Sequence, residues 1–235
     1  MIRHDGPMPL IAGAVDVSTV MEKLSAVRPV FHSEADFQHA FAWVLREIEP
    51  SVQIRLEVRQ DTREYVDLLC FGPQGRTAVE FKYFTRTWAG TDPLTGESFH
   101  LRNHEATDLG RQGFVFDIAR LEKFCAAGRA SNGFAIMLSN DQRLWRPPAT
   151  AKLTRDQAFR IHEGRKNLSG LLRWGTDGSY HAGSERTLSG SYPITWRDYS
   201  NLDGINGRLR WLAAAVAPPS EPVSADLSAA SHQPG

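Results

Sequence analysis

Between Ser33 and Ser139 the spacing of apolar residues changes from helical to alternating and back, and that order constrains the fold more than any other feature of the chain. Phe37, Ala40, Phe41, Val44, Leu45 and Ile48 recur at three- and four-residue intervals, as on one buried helix face. Ser33 is placed to cap that helix and Pro50 to end it. Three strand-length segments follow, 52–59, 64–71 and 76–84, separated by Asp61-Thr62 and by Gly72-Pro73-Gln74-Gly75. Residues 85–107 contain Gly90, Pro93 and Gly96, show no period, and read as a long loop with room for a hairpin. The stripe Phe114, Ile118, Leu121 and Cys125 predicts a second long helix over 108–127, with Gly128 to end it. Residues 133–139 form an apolar run suited to a strand buried on both faces.

These elements predict an α/β fold with a mixed central sheet flanked by helices. Residues 1–32 form an extension whose short helix, 16–27, ends at Arg28-Pro29. The core spans 33–145. Residues 146–216 extend it and are a possible substrate-binding part, with a helix over 154–165 and strands at 171–174, 194–199 and 208–212 that could lengthen the sheet. The stretch 217–235, rich in Pro, Ser and Ala and without a large aromatic, is expected to be disordered.

The apolar runs 134–138 and 212–217 fall well short of the roughly 20 residues that span a bilayer, so no membrane partner is expected. The first ten residues lack the pattern of a secretory signal, and a cytoplasmic location is the expectation. Cys70 and Cys125 have no C-x-x-C spacing and read as small core residues rather than ligands. Net charge is 0, which gives no general support to nucleic-acid binding, but eight basic residues against two acidic ones fall within 143–173. Arg155, Arg160, Arg165 and Lys166 in that segment either face phosphates or form a solvated helix face, and the charges alone favour neither.

The chemistry concentrates at Asp67 and, after twelve intervening residues, at Glu80-Phe81-Lys82. On a strand Glu80 and Lys82 share a face while Val79, Phe81 and Tyr83 point the other way. A carboxylate and an ammonium on an otherwise apolar strand are costly unless they pair or bind an ion. Carboxylates on neighbouring strands can supply oxygen ligands to Mg²⁺ or Mn²⁺, leaving room for a phosphate oxygen and a water. Lysine can orient or deprotonate that water, and only five of the 27 basic residues are lysine, yet one stands at position 82.

In the order helix, three strands, helix, strand, with Asp67 followed by an acidic-x-lysine triplet, residues 33–145 resemble the PD-(D/E)xK nuclease superfamily, whose architecture is restriction-endonuclease-like. The chain departs from that pattern at Val66, where the family motif has proline, a change expected to affect strand geometry more than chemistry. The resemblance implies a nuclease dependent on Mg²⁺ or Mn²⁺ and acting on nucleic acid, DNA ahead of RNA, with room for a homodimer. It implies that Asp67 and Glu80 hold the metal, that the Phe81 backbone carbonyl adds a ligand, and that Lys82 serves the nucleophilic water. Glu34 matches the glutamate that many such proteins place on the first core helix. Three residues before Phe37 and seven before Phe41, it lies on the sheet-facing stripe. Its alternative is stabilisation by the helix N-terminus. A catalytically silent binding or assembly module of the same fold is the rival reading, and an RNA-cleaving nuclease a second.

Other polar residues carry less weight. His100, His104 and Glu105 lie in the long loop without zinc spacing. Asp117, Arg120 and Glu122 are placed for intrahelical pairs; Arg111 and Arg120 reach phosphate or, more economically, form salt bridges. Trp145, Trp174, Trp196 and Trp211 are explained by core packing more simply than by base stacking.

Overall fold

The computed structural model describes residues 9–61, 64–150 and 152–217. Two helices, α1 (Val17–Val27) and α2 (Glu34–Ile48), lead into the meander β1 (Gln53–Arg59), β2 (Tyr65–Gly72) and β3 (Gly75–Phe84). The loop that follows does hold a hairpin, β4 (Trp88–Thr91) and β5 (Ser98–Leu101). Then come α3 (Thr107–Ala126), β6 (Asn132–Ser139) and the single turn α4 (Gln142–Trp145). The rest of the chain is mostly strand: β7 (Leu168–Leu172), the two-residue strands β8 (Gly175–Thr176) and β9 (Ser179–Tyr180), β10 (Arg186–Tyr192), β11 (Trp196–Asn201) and β12 (Arg208–Val216).

Six strands form one mixed sheet in the order β1-β2-β3-β6-β12-β11, parallel between β3 and β6 and antiparallel elsewhere. Alternation along β3 divides the core into two layers. Val79, Phe81 and Tyr83 pack with Phe37 and Phe41 of α2, and the Phe81 ring meets both of those rings edge-on at 5.1 Å. Truncating Phe81, which is fully buried, would cost about 3–5 kcal/mol. Ala78 and Phe84 face the opposite way, toward Phe114, Ile118 and Leu121 of α3. Gly110 brings α3 close to the sheet, because a Cβ there would lie 2.6 Å from the Phe84 ring. The cap on α2 is as the sequence indicates: Ser33 Oγ accepts the Asp36 N–H at 3.1 Å.

The segment after β6 differs from expectation. Residues 154–165 are not an α-helix; only Gln157–Phe159 makes a 3-10 turn. The buried apolar side chains there, Phe159 and Ile161, are two residues apart, a spacing no helix face provides. Arg165 also gathers the loop by donating to the carbonyls of Ala158, Arg160 and Asn167. β11 and β12 lengthen the sheet, but β7 pairs with β10 in a separate two-stranded sheet. Trp145, Trp174, Trp196 and Trp211 are all buried, as are both cysteines, which are free thiols. No helix among the described residues is long and apolar enough to cross a membrane. Apart from Ala217, the stretch 217–235 lies outside the described residues.

Candidate active site

The sheet opens where β2 and β3 separate. Their register runs from Gly72 opposite Gly75 to Leu68 opposite Val79, and β3 then continues to Phe84. Beyond Val79 the backbone N–H groups of Phe81 and Tyr83 meet carboxylates instead of a strand. Asp67 Oδ2 accepts the Phe81 N–H at 2.7 Å, and Glu34 Oε2 accepts the Tyr83 N–H at 2.7 Å. Each carboxylate thus replaces a missing rung of the ladder. Glu34 is held there because α2 begins at it and lays Phe37 and Phe41 on the sheet.

Glu80 and Lys82 leave β3 on the α3 side and meet two residues of that helix. Glu80 is 1% exposed, and its Oε1 lies 2.8 Å from Arg120 Nε. Lys82 Nζ lies 3.0 Å from Asp117 Oδ2 and donates to the Phe81 carbonyl at 3.3 Å. Arg120 Nη2 closes the chain of contacts by donating to Asp117 Oδ1 at 2.6 Å. The intrahelical Asp117–Arg120 pair expected from the sequence is therefore present, but both residues also face the strand. Glu122 does not pair within the helix; it accepts from Ser189 N–H, Gly190 N–H and the Tyr192 hydroxyl, tying α3 to β10. Asp117 was legible as more than a surface acid, since it falls between Phe114 and Leu121 on the apolar stripe and is buried.

The electrostatics of this cluster are dominated by burial. Burial, and then the charges of Asp67 and Asp117, push the Glu80 carboxyl up to about 9, outweighing Arg120 and Lys82. Burial likewise raises Asp117 to about 6 against the pull of Lys82 and Arg120. Glu34 is raised as well, chiefly by burial. For Lys82 burial works downward, but Asp117 and Glu34 outweigh it and hold the amine above the ordinary lysine value. Lys82 is accordingly an ammonium in this arrangement.

Four acidic side chains, Glu34, Asp67, Glu80 and Asp117, thus gather around two basic ones, Lys82 and Arg120. Glu80 Oε1 is buried with no aligned hydrogen-bond donor. Oxygen donors, an excess of carboxyl over basic groups and a buried carboxyl oxygen without a hydrogen bond fit a hard divalent cation. Among the described residues no three His, Cys, Asp or Glu side chains stand together as a ready metal cage. Mg²⁺ characteristically takes one or two carboxylates and fills its other positions with water and substrate oxygens.

The remaining candidates are placed elsewhere. Arg155 pairs with Asp108 at the start of α3 and lies over the Trp174 ring, Arg160 donates to Thr154 Oγ1, Arg165 is engaged with the three carbonyls above, and Lys166 is exposed. Arg111 makes a salt bridge with Asp156 and a hydrogen bond to the Arg143 carbonyl. His104 Nδ1 sits 3.0 Å from the Thr85 backbone nitrogen, and its ring is near enough to lower the Glu34 pKa. Compared with known proteins, the chain matches no family model, no curated protein and no solved structure.

Proposed function

We propose that this chain is a nuclease dependent on Mg²⁺ or Mn²⁺, of restriction-endonuclease-like architecture, acting on DNA ahead of RNA. One observation carries the reading. Asp67 and Glu34 cap successive outward N–H groups of β3 at the fork, while Glu80 and Lys82 project from the same four-residue stretch of that strand. This grouping of the motif residues supports the PD-(D/E)xK reading.

Asp67 and Glu80 hold the cation, with the Phe81 carbonyl as a further oxygen and Glu34 supporting the metal or its waters. When bound, the cation polarises a phosphoryl oxygen and lowers the pKa of a water. Lys82, kept as an ammonium by Asp117 and Glu34, orients the attacking water and offsets charge developing at phosphorus rather than removing a proton. Arg155 and Lys166, the exposed pair among the four basic candidates, are the proposed phosphate contacts outside the centre.

The test is incubation with supercoiled plasmid, linear duplex, single-stranded DNA and RNA, each with Mg²⁺, Mn²⁺ or chelator. Cleavage of a DNA form that chelator abolishes is expected; cleavage of RNA alone moves the substrate. A second reading, a non-catalytic module of the same fold, is supported by the pairing of Glu80 and Lys82 with Arg120 and Asp117, which balances the cluster's charges without a metal. Binding without cleavage under every metal condition would establish it.

A further inference from the structure

Arg120 reaches two carboxylates, and the two contacts are unlike. Its Nη2 donates to Asp117 Oδ1 at 2.6 Å, three residues away on the same helix. Its Nε approaches Glu80 Oε1 at 2.8 Å across the gap between α3 and β3, yet neither of those atoms finds an aligned hydrogen-bond partner. The contact with Glu80 therefore supplies charge without direction. A hydrogen bond loses most of its strength when misaligned, whereas a carboxylate oxygen binds a hard cation without any N–H to aim. Arg120 also has an open side, with 31% of its side chain exposed against 1% for Glu80.

We infer that Arg120 is an internal counter-cation for Glu80 that a divalent cation displaces, leaving the guanidinium tethered to Asp117 and free to meet a substrate phosphate. The inference rests on the metal-dependent reading above and adds a regulated step to it. Burial holds the proton on Glu80 until the metal arrives; once ionised, the carboxylate is never left buried with an uncompensated charge, because Arg120 departs only as the divalent cation takes its place. Asp117 keeps its second cation throughout, since Lys82 Nζ also lies 3.0 Å from it. Metal loading and release of Arg120 are then one equilibrium, and an anion that draws Arg120 outward must tighten metal binding to the same degree that metal tightens the anion.

The sign of one measurement separates this role from its opposite. If Arg120 merely positions Glu80 for the metal, removing it weakens metal binding; if it competes, removing it strengthens binding. Titration calorimetry with Mn²⁺ on the wild type, Arg120→Gln and Lys82→Met is the experiment. Arg120→Gln is expected to bind Mn²⁺ about tenfold more tightly than the wild type. Lys82→Met also removes one positive charge from the cluster but does not touch Glu80, and is expected to change affinity less. An unchanged or weaker affinity in Arg120→Gln overturns the inference, as does an equal gain in Lys82→Met, which would reduce the effect to diffuse charge. Should Arg120→Gln fail to fold, the wild type still decides: on saturation with Mg²⁺ the ¹⁵N-resolved Nε–H signal of Arg120 should shift or broaden, and a signal that stays put overturns it. Absence of Mn²⁺ and Mg²⁺ binding in every chain sinks the metal reading together with this one, whereas binding with the wrong sign sinks only this one.

Discussion

Asp67 Oδ2 accepts the backbone N–H of Phe81 at 2.7 Å, so the side chain proposed to hold metal also completes the hydrogen bonding of the strand that carries Glu80 and Lys82. Structure and chemistry share one carboxylate, and substitutions can separate them. Asp67→Ala leaves a part-buried N–H without its acceptor and should lower unfolding stability by about 1–3 kcal/mol. Asp67→Asn keeps an amide oxygen for that N–H and should recover most of the loss, yet it lacks the charge a divalent ion needs. Denaturant unfolding and Mn²⁺ calorimetry on both variants check this. Full metal binding by Asp67→Asn, or equal stability of the two, would contradict the dual role.

Glu80 gives a pH dependence with a definite sign. Its carboxyl is pushed from 4.5 to about 9 by burial and by the charges of Asp67 and Asp117, so the folded state binds this proton more tightly than the unfolded state does. The stability it contributes is complete below the ordinary carboxylate range and is lost as pH rises toward about 9. Glu80→Gln cannot lose it. In chelator, the stability of Glu80→Gln relative to the wild type should therefore increase between pH 5 and pH 9, by several degrees in Tm, given that about 1 kcal/mol moves Tm by about 2–4 °C in a domain of this size. A difference that stays flat across that range would place Glu80 in a setting unlike the one described.

Lys82 tests the division of labour between proton transfer and charge. Asp117 and Glu34 keep it protonated, so its proposed work is orientation and electrostatic stabilisation. Lys82→Ala should reduce cleavage by at least about a hundredfold, the scale of one lost electrostatic donor, while Mn²⁺ still binds. Lys82→Arg should be similarly impaired, because a planar fork does not replace a compact ammonium between Asp117 and the Phe81 carbonyl. Single-turnover cleavage with metal affinity measured in parallel is the check. Near-normal cleavage by Lys82→Ala would remove the residue from the chemistry.

How far the sequence could reach follows from the range of each signal. The helical stripe on α2, the Ser33 cap and the alternation along β3 are local patterns, and each appears where the spacing puts it. The fork between β2 and β3 is not local. That Glu34 and Asp67 would close open N–H groups depended on where two strands part, which no spacing encodes. Asp117 was legible by the same argument that singled out Glu34, an acid on an apolar stripe, but its intrahelical partner Arg120 offered a sufficient explanation. β10 was missed because Arg-Thr-Leu-Ser-Gly-Ser-Tyr is polar and holds a glycine; its place against β7 and α3 comes from tertiary contacts such as those of Glu122.

The basic segment supplies the last prediction, and the structure divides residues that charge counting had grouped. Arg165 binds three backbone carbonyls, so Arg165→Gln should act first on stability, with unfolding shifted by about 1 kcal/mol or more. Arg155 is exposed but paired with Asp108, and Lys166 is exposed, so replacing these two perturbs the fold little. If they contact phosphates, the Arg155→Gln, Lys166→Gln double variant should bind DNA of any sequence more weakly, and its log-affinity against log-salt slope should flatten by roughly one unit per lost contact. Metal affinity should be unaltered, since neither residue belongs to the cluster around Glu80. Fluorescence anisotropy at several salt concentrations, with Ca²⁺ in place of Mg²⁺ to suppress cleavage, reads both quantities. An unchanged slope would assign the segment to a solvated, internally paired surface and direct the search for phosphate contacts elsewhere, leaving the grouping of Glu34, Asp67, Glu80 and Lys82 untouched.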